Sequence, residues 1–425
     1  MLKTIKTAGK KFLCLLLEAQ VRRLRSGHDF KLIAVAGSIG KTSTKRAIVT
    51  ILEQEHAVRS QAGNYNDRLT VPLVIFGHTE PSIFDVLSWL RILIDNERQL
   101  RQPYPYEFVV VELGTDGPGQ ISQFAYLEPD VTVLTAVADE HMEYFKTLDA
   151  VAEEELTVSQ FSRKLVCNID LIDKKYLVDR QYIGYGADES AAYRITNSDY
   201  QGTKGQILTI SRDGQSVKST TTLLGVQGAS IVAGAVAAIT ESGLDFARTM
   251  QQSSAITAVA GRLQLLAGLQ NSLLIDDTYN ASPTAVKAAL DVLYATANLQ
   301  RIAVLGDMNE LGETSAAAHQ AVGRYCDPER LDLVLTIGPM SKIHLAPPAQ
   351  AAGCNVKTFD SPYAVGRYLL EIMKPEAAIL FKGSQNRVFA EEAVKSVLAN
   401  PTDAQKLVRQ STDWINIKRR QFDDA

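Results

Sequence analysis

Apolar and polar positions change rhythm several times along the chain. Over residues 2–26, Leu2, Ile5, Leu13, Leu16, Leu17 and Val21 fall roughly on one face at helical spacing, which predicts one long helix. Short apolar runs then alternate with helical stretches. Residues 32–36 run straight into Gly37 and a helical stretch from Lys41, and residues 108–111, 131–137 and 165–167 are further buried-strand runs. Runs apolar on both faces and separated by helices are what a parallel sheet covered on both sides requires. Residues 182–224 differ: they are rich in Thr, Ser and Gly and alternate over Gln206, Ile207, Leu208, Thr209 and Ile210, which predicts a small antiparallel insert. A second α/β unit starts near Gly261. Its strands are residues 273–275, 302–305, 333–337 and 378–381, with helices from Pro283, Ser315 and Pro362. Pro283 suits a first helical turn, where its missing N–H goes unused.

Composition narrows the class. The 425 residues are 46% hydrophobic and 22% charged, ordinary for a folded chain with more than one core. Net charge is −4, so no electrostatic case for nucleic acid arises. Cys14, Cys167, Cys326 and Cys354 are too scattered for a CxxC metal or redox signature and read as reduced core filler. With no run of 18 apolar residues and no secretion-signal pattern, the expected location is cytoplasmic. The first 30 residues carry seven Lys or Arg against Glu18 and Asp29. That helix either packs with a solvated basic face or makes weak contact with an anionic membrane surface through residues 2–26.

The strongest chemical signal is Gly37-Ser38-Ile39-Gly40-Lys41-Thr42 between a strand and a helix. Glycines let backbone N–H groups close on a phosphate, Lys41 can reach the outer phosphates and Thr42 can ligate Mg²⁺. The spacing is shorter than the usual eight-residue phosphate loop. Glu112 ends the strand 108–111, where a carboxylate beside such a loop can hold Mg²⁺ or simply serve a structural partner. His141 follows another strand; taken alone, such a histidine is more often an ordinary surface residue.

Several motifs in order resemble the Mur ligases, most closely the member that adds D-Ala-D-Ala to a muramoyl tripeptide. AGSIGKTSTK (36–45), GNYND with VPL (63–73), VVELG (110–114), EHMEYF (140–145), GRLQ (261–264), IDDTYNASP (275–283), VLGDMNELGE with a later His and VG (304–323) and FKGSQN (381–386) carry the likeness. The resemblance implies a P-loop central domain with a mostly parallel sheet and a small antiparallel insert, then a Rossmann-like α/β domain. The expected divisions are 1–29, 30–258 and 259–425. It implies ATP and Mg²⁺, and amide formation through an acyl phosphate. Gly37, Ser38, Gly40, Lys41, Thr42 and Ser43 would cradle ATP. Thr42, Glu112 and His141 would hold Mg²⁺, Arg262 would touch the γ-phosphate, Asp277 the ribose, and Tyr279 or Asn280 would line the nucleotide site. Asn64, Asn66, His319, Lys382 and Ser384 would lie near the peptide substrates.

Three departures from the family pattern stand out. Only about 30 residues precede the ATP loop, where the family carries a UDP-binding domain. The donor would then be held elsewhere, or by a partner subunit, or be a different donor. Second, the family's carbamylated lysine aligns with Glu155, which is expected to supply a metal carboxylate directly. Third, the adenine segment reads Gly225-Val226-Gln227-Gly228-Ala229-Ser230-Ile231, with the usual histidine and both asparagines replaced, and Asp67 and Thr70 also depart from the usual asparagine and glycine. The leading expectation is a peptidoglycan-precursor ligase. Another donor and acceptor pair, or a non-catalytic nucleotide-binding subunit of a cell-wall complex, stay open.

Overall fold

The computed structural model describes residues 2–60, 65–200 and 205–422. The first unit is built on a nine-stranded sheet: β1 (Lys31–Ala36), β2 (Val58–Arg59), β3 (Phe108–Glu112), β4 (Val131–Leu134), β5 (Leu165–Asn168), β6 (Ile183–Gly186), β7 (Tyr193–Tyr200), β8 (Gln206–Arg212) and β9 (Gln215–Thr221). Their order is β2-β3-β1-β4-β5-β6-β7-β8-β9. Pairing is parallel from β2 through β7 and antiparallel over β7-β8-β9. The antiparallel residues expected as an insert therefore extend the main sheet. β7 continues the parallel pairing and two hairpins then fold back, burying Leu208 and Ile210 on the same core as the sheet. The run 131–137 is strand only to Leu134; Thr135 then turns away, its hydroxyl donating to Ala36 O at 3.0 Å.

In the sheet β1 lies beside β4; the chain leaves β1 toward β2 on one side and leaves β4 toward β5 on the other, so the connections diverge and open a crevice at the carboxyl ends of these two strands. Both faces are covered. One core takes Ala34 and Ala36 of β1 with Val109 and Val111 of β3; the other takes Ile33 and Val35 with the small-residue helix Gly225–Glu241. Alternate residues of each strand thus enter different cores, which is why the runs read as continuously apolar.

The second unit has β10 (Gln264–Ala267), β11 (Leu273–Asp277), β12 (Arg301–Gly306), β13 (Leu333–Ile337), β14 (Val356–Phe359) and β15 (Ala378–Lys382), ordered β10-β11-β15-β12-β13-β14. Only β10 runs antiparallel. Its helices start where the sequence predicts: Ser282 caps Pro283–Tyr294 and Ser361 caps Pro362–Ile372, each with proline in the first turn.

The N-terminal helix α1 (Leu2–Gly27) packs on the first unit. It buries Leu13, Cys14 and Leu17 with Leu69, Leu73, Trp89 and Ile92, and sends Val21 and Leu24 into the main core. Its neighbours are α3 (Thr70–Phe76) and α4 (Val86–Gln99); α2 (Lys41–Leu52) follows the phosphate loop. Among the described residues, no helix is long and apolar enough to cross a membrane.

Candidate active site

The phosphate loop is held in shape by the segment that follows β4. Gly37 (φ 116°) and Gly40 (φ 89°) both take left-handed backbone that favours glycine. A Cβ on Gly37 would come within 2.5 Å of Thr135 Oγ1. Ser38 N–H donates to Ala136 O at 2.9 Å, and Ser38 Oγ accepts from Ala138 N–H at 3.1 Å. Gly40 is the N-cap of α2 without a side-chain cap, so the N–H groups of the first turn stay available to an anion.

Lys41, Thr42 and Ser43 open that helix and line the cleft. Lys41 Nζ lies 3.3 Å from Glu140 Oε1. Burial alone would lower its pKa, but Glu140, Glu155 and Glu112 together outweigh it and hold the ammonium above its ordinary value. Glu112 is in parallel register with Val35, two residues before Gly37, which fixes its carboxylate beside the loop. Thr42 Oγ1 donates to Glu112 Oε1 at 3.3 Å. Glu112 Oε2 is buried 3.3 Å from Lys45 Nζ but receives no well-directed hydrogen bond, and Glu140 Oε2 is buried and unpartnered too. Thr42 and Glu112 thus meet as oxygen donors of the kind a hard cation takes, and Glu140 places a further under-satisfied oxygen on the same cleft wall.

His141 sits at φ 49° just beyond this group. Its Nε2 is 3.4 Å from Glu140 Oε1 and 3.6 Å from Asp116 Oδ1; its Nδ1 is 3.7 Å from Glu310 Oε2 of the second unit. The hydrogen bond to Glu140, with help from Glu310 and Asp116, holds the imidazole above its usual range against partial burial.

The four predicted metal ligands are not brought into one cluster. Among the described residues no group of three His, Cys, Asp or Glu side chains is arranged to hold a metal ion. Thr42 and Glu112 meet; His141 stands with Asp116, Glu140 and Glu310. Glu155 differs from expectation. It is 1% exposed, lies outside the residues lining the cleft, and its Oε2 accepts the Gly37 N–H at 2.9 Å. Burial, with Glu140 adding, pushes its carboxyl up to about 7 despite Lys41 and that N–H. Here it braces the phosphate loop from behind.

The opposite wall comes from the carboxyl ends of β11 and β15. Asp277 and Lys382 pair at 2.6 Å; Asp277 Oδ1 accepts from Leu263 N–H at 3.2 Å and Lys382 Nζ donates to Asn280 O at 2.8 Å. The Arg262 guanidinium lies over the Tyr279 ring, 4.2 Å from its centroid, and its buried Nε has no hydrogen-bond partner. Asn66 also lines the cleft, and its carbonyl accepts from Gly114 N–H at 2.8 Å. Asn64 lies outside the described residues.

Two residues expected near the substrate are structural instead. His319 is fully buried: its Nε2 accepts from Met308 N–H at 3.0 Å and its Nδ1–H donates to Ser315 O at 2.8 Å. Burial holds it below its usual pKa, so the neutral ring locks the loop after β12. Ser384 Oγ is buried, accepting from Asn309 N–H at 2.9 Å. The helix and loop positions were legible; the inward direction of these side chains was not.

A cleft of about 400 Å³ joins the two walls, lined on one side by the phosphate loop, Glu112, Glu140 and His141, and on the other by Arg262, Asp277, Tyr279, Asn280 and Lys382. Gln227, Gly228, Ser230 and Ile231 of the altered adenine segment line it as well. Among the lining residues not singled out from sequence are Asp116, Glu140, Asn309 and Glu310. The last three lie inside the motifs EHMEYF and VLGDMNELGE, so the motifs pointed to the place without naming the side chains.

Comparison with known proteins places this geometry. Residues 35–239 match the Mur ligase middle domain, and residues 261–385 match the Mur ligase, glutamate ligase domain. The UDP-N-acetylmuramoyl-tripeptide–D-alanyl-D-alanine ligase of Escherichia coli strain K12 is 29% identical over 88% of this chain and 78% of its own length. The ligase of the same name from Bacillus subtilis strain 168 is 26% identical over 87% of this chain and 76% of its own. In fold, a crystal structure of MurF from Acinetobacter baumannii superposes with a TM-score of 0.74 at 22% identity, covering 90% of this chain and 79% of that one. MurF from Thermotoga maritima, solved with ADP, gives 0.72 at 22% identity, covering 90% and 83%. With both halves of the cleft falling inside the two matched domains, the chain belongs to the Mur ligase family of ATP-dependent, ADP-forming amide ligases.

Proposed function

We propose that the protein joins D-Ala-D-Ala to a UDP-muramoyl tripeptide during peptidoglycan-precursor synthesis, on the cytoplasmic side, using ATP and Mg²⁺. The observation that carries this reading is the two-walled cleft, phosphate loop on one side and Asp277, Lys382 and Arg262 on the other, in a chain that aligns along most of two ligases of that activity.

The donor carboxylate attacks the γ-phosphorus of ATP, ADP leaves, and an acyl phosphate forms. The acceptor amine then attacks the acyl carbon, phosphate departs with the C–O bonding electrons, and the amine loses a proton. Neither step needs a covalent enzyme intermediate, so the residues' task is positioning and charge neutralisation. The loop N–H groups and Lys41 face the phosphates. Thr42 and Glu112, with the under-satisfied Glu140 oxygen nearby, would hold Mg²⁺, which when bound neutralises phosphate charge. Arg262, seated on Tyr279 with a free Nε–H, serves the outer phosphate, and Asp277 the ribose.

The test is ADP release by the purified protein with Mg²⁺-ATP and UDP-muramoyl tripeptide, with and without D-Ala-D-Ala, and mass spectrometry of the product. Acceptor-dependent ADP with a pentapeptide product is the expected result. Nucleotide binding without acceptor-dependent turnover would overturn this substrate pair.

A further inference from the structure

Helix α1 is apolar on two opposite faces. Leu13, Leu17, Val21 and Leu24 point into the protein, while Phe12, Leu15 and Leu16 point out, 64%, 49% and 37% exposed. Helix α4 repeats the arrangement. Trp89 and Ile92 are buried, and Leu87, Leu90 and Ile94 are 67%, 50% and 54% exposed at i, i+3 and i+7 spacing. The two helices lie side by side. Gln20 Nε2 donates to Leu93 O at 3.0 Å, Asn96 Nδ2 donates to Gln20 Oε1 at 2.8 Å, and Arg23 pairs with Glu97 at 2.6 Å. Their inward faces share one cluster, so their outward faces form one apolar surface, continued by exposed Phe84 and Val86. A contiguous surface of this kind on a globular protein marks an interaction site.

Its fringe is cationic. Lys11 on α1 and Arg91 and Arg98 on α4 are exposed and form no ion pair among the described residues; Arg22, also exposed, lies over the Tyr126 ring at 5.9 Å from its centroid. Of the nearby acids, Glu97 is paired with Arg23, while Asp85 and Asp95, hydrogen-bonded to Ser88 and Gln99, keep their charge, so the cations outnumber the uncompensated acids. The first 30 residues hold seven cations and two acids in a chain of net charge −4. A second copy of the chain would set this basic fringe against another like it.

We propose that the outer faces of α1 and α4 dock the protein on an anionic lipid surface, with the apolar side chains at the acyl boundary and the cations among the headgroups. The docked helix is tied to the cleft: Glu18 pairs with Arg68 and Lys10 lies 3.8 Å from Asp67, and Asn66 and Asp67 line the site. Docking would therefore hold the ligase cleft beside the membrane, independent of which donor and acceptor it uses.

Deleting α1 is no test, because Leu17, Val21 and Leu24 belong to the core. The experiment is co-sedimentation of the full chain with phosphatidylglycerol-containing vesicles and with pure phosphatidylcholine vesicles, at low and high salt. Expected is binding to the anionic vesicles, about tenfold or more weaker on the neutral ones and weakened by salt. Leu15→Glu with Leu90→Glu, and separately Lys11→Glu with Arg91→Glu, should each lose that binding while circular dichroism and nucleotide binding stay unchanged. The proposal is overturned if the protein stays in the supernatant, if the variants pellet equally, or if sedimentation velocity without lipid shows a dimer that Leu15→Glu with Leu90→Glu abolishes. That last result would make a second copy the occupant.

Discussion

Asp277 and Lys382 are register partners on the adjacent parallel strands β11 and β15, and their charged atoms meet 2.6 Å apart at the strands' carboxyl ends. The pair is nearly buried, so neither charge is well solvated without the other. Lys382→Met leaves the Asp277 carboxylate uncompensated and should cost about 3–5 kcal/mol of stability. Asp277→Asn combined with Lys382→Met should recover most of that loss, because the two like-sized neutral groups remove the stranded charge. Nucleotide affinity, measured by calorimetry with ADP, should stay impaired in the double variant. Urea unfolding that shows equal losses in single and double variants would separate the pair's charge from its packing and reject this account.

Lys41 favours the charged form of the buried Glu140 carboxylate 3.3 Å away, and in the proposed reaction it also faces the phosphates. Lys41→Ala should lower kcat by about 100-fold or more. It should also raise the carboxyl pKa of Glu140, whose charged form Lys41 favours against burial. Gly37→Ala acts differently: the new Cβ collides with Thr135 at a backbone angle alanine resists, so the loop itself shifts. Nucleotide binding should fall in Gly37→Ala with little change in overall unfolding temperature. Wild-type binding by Gly37→Ala would mean that the loop tolerates the shift.

His319 gives a pH signature that a substrate-contacting histidine would not. Burial depresses its folded-state pKa, so the neutral ring is what the fold stabilises. The corresponding stability is fully present above the unfolded value near 6.5 and is lost as pH falls from there toward the depressed folded value. His319→Gln should flatten this part of the stability–pH curve. His319→Ala should lose on the order of 2 kcal/mol by orphaning the Met308 N–H. Acceptor KM in His319→Gln should match wild type; a selective rise in that KM would restore a substrate role.

The strands and the phosphate loop were legible because their physics is local. Residues 32–36 and 108–111 are apolar on both faces whatever lies beyond them, and the glycine, lysine and threonine of the loop stand together in one short stretch of sequence. What could not be read was side-chain direction across the fold. Glu155 looked like a metal carboxylate in alignment, yet its stem ends on the Gly37 N–H behind the loop. His319 and Ser384 sit in site motifs but turn inward to secure Met308 and Asn309. The antiparallel strands β7–β9 were recognised by alternation, but whether they stood apart or joined the sheet depended on the parallel β6–β7 pairing, which no local pattern encodes. The exposed stripe on α4 also escaped notice, because only the α1 contact shows which of its faces is left bare.

Arg262 presents the most specific consequence for nucleotide recognition. Its guanidinium rests on the Tyr279 ring while Nε stays buried and unpaired, an arrangement that keeps one directed donor ready for an anion. The aromatic seat is worth about 1 kcal/mol in such a partly buried setting. Tyr279→Phe should preserve it and leave ATP affinity near wild type. Tyr279→Leu should weaken ATP binding about fivefold by letting the guanidinium wander. Arg262→Lys should do more harm than its charge implies, since an ammonium neither stacks as well nor offers the fixed fork. Comparing ATP with AMP locates the effect. The loss should appear for ATP and largely vanish for AMP, which lacks the outer phosphates; an equal loss for both would place Arg262 at the base or ribose instead.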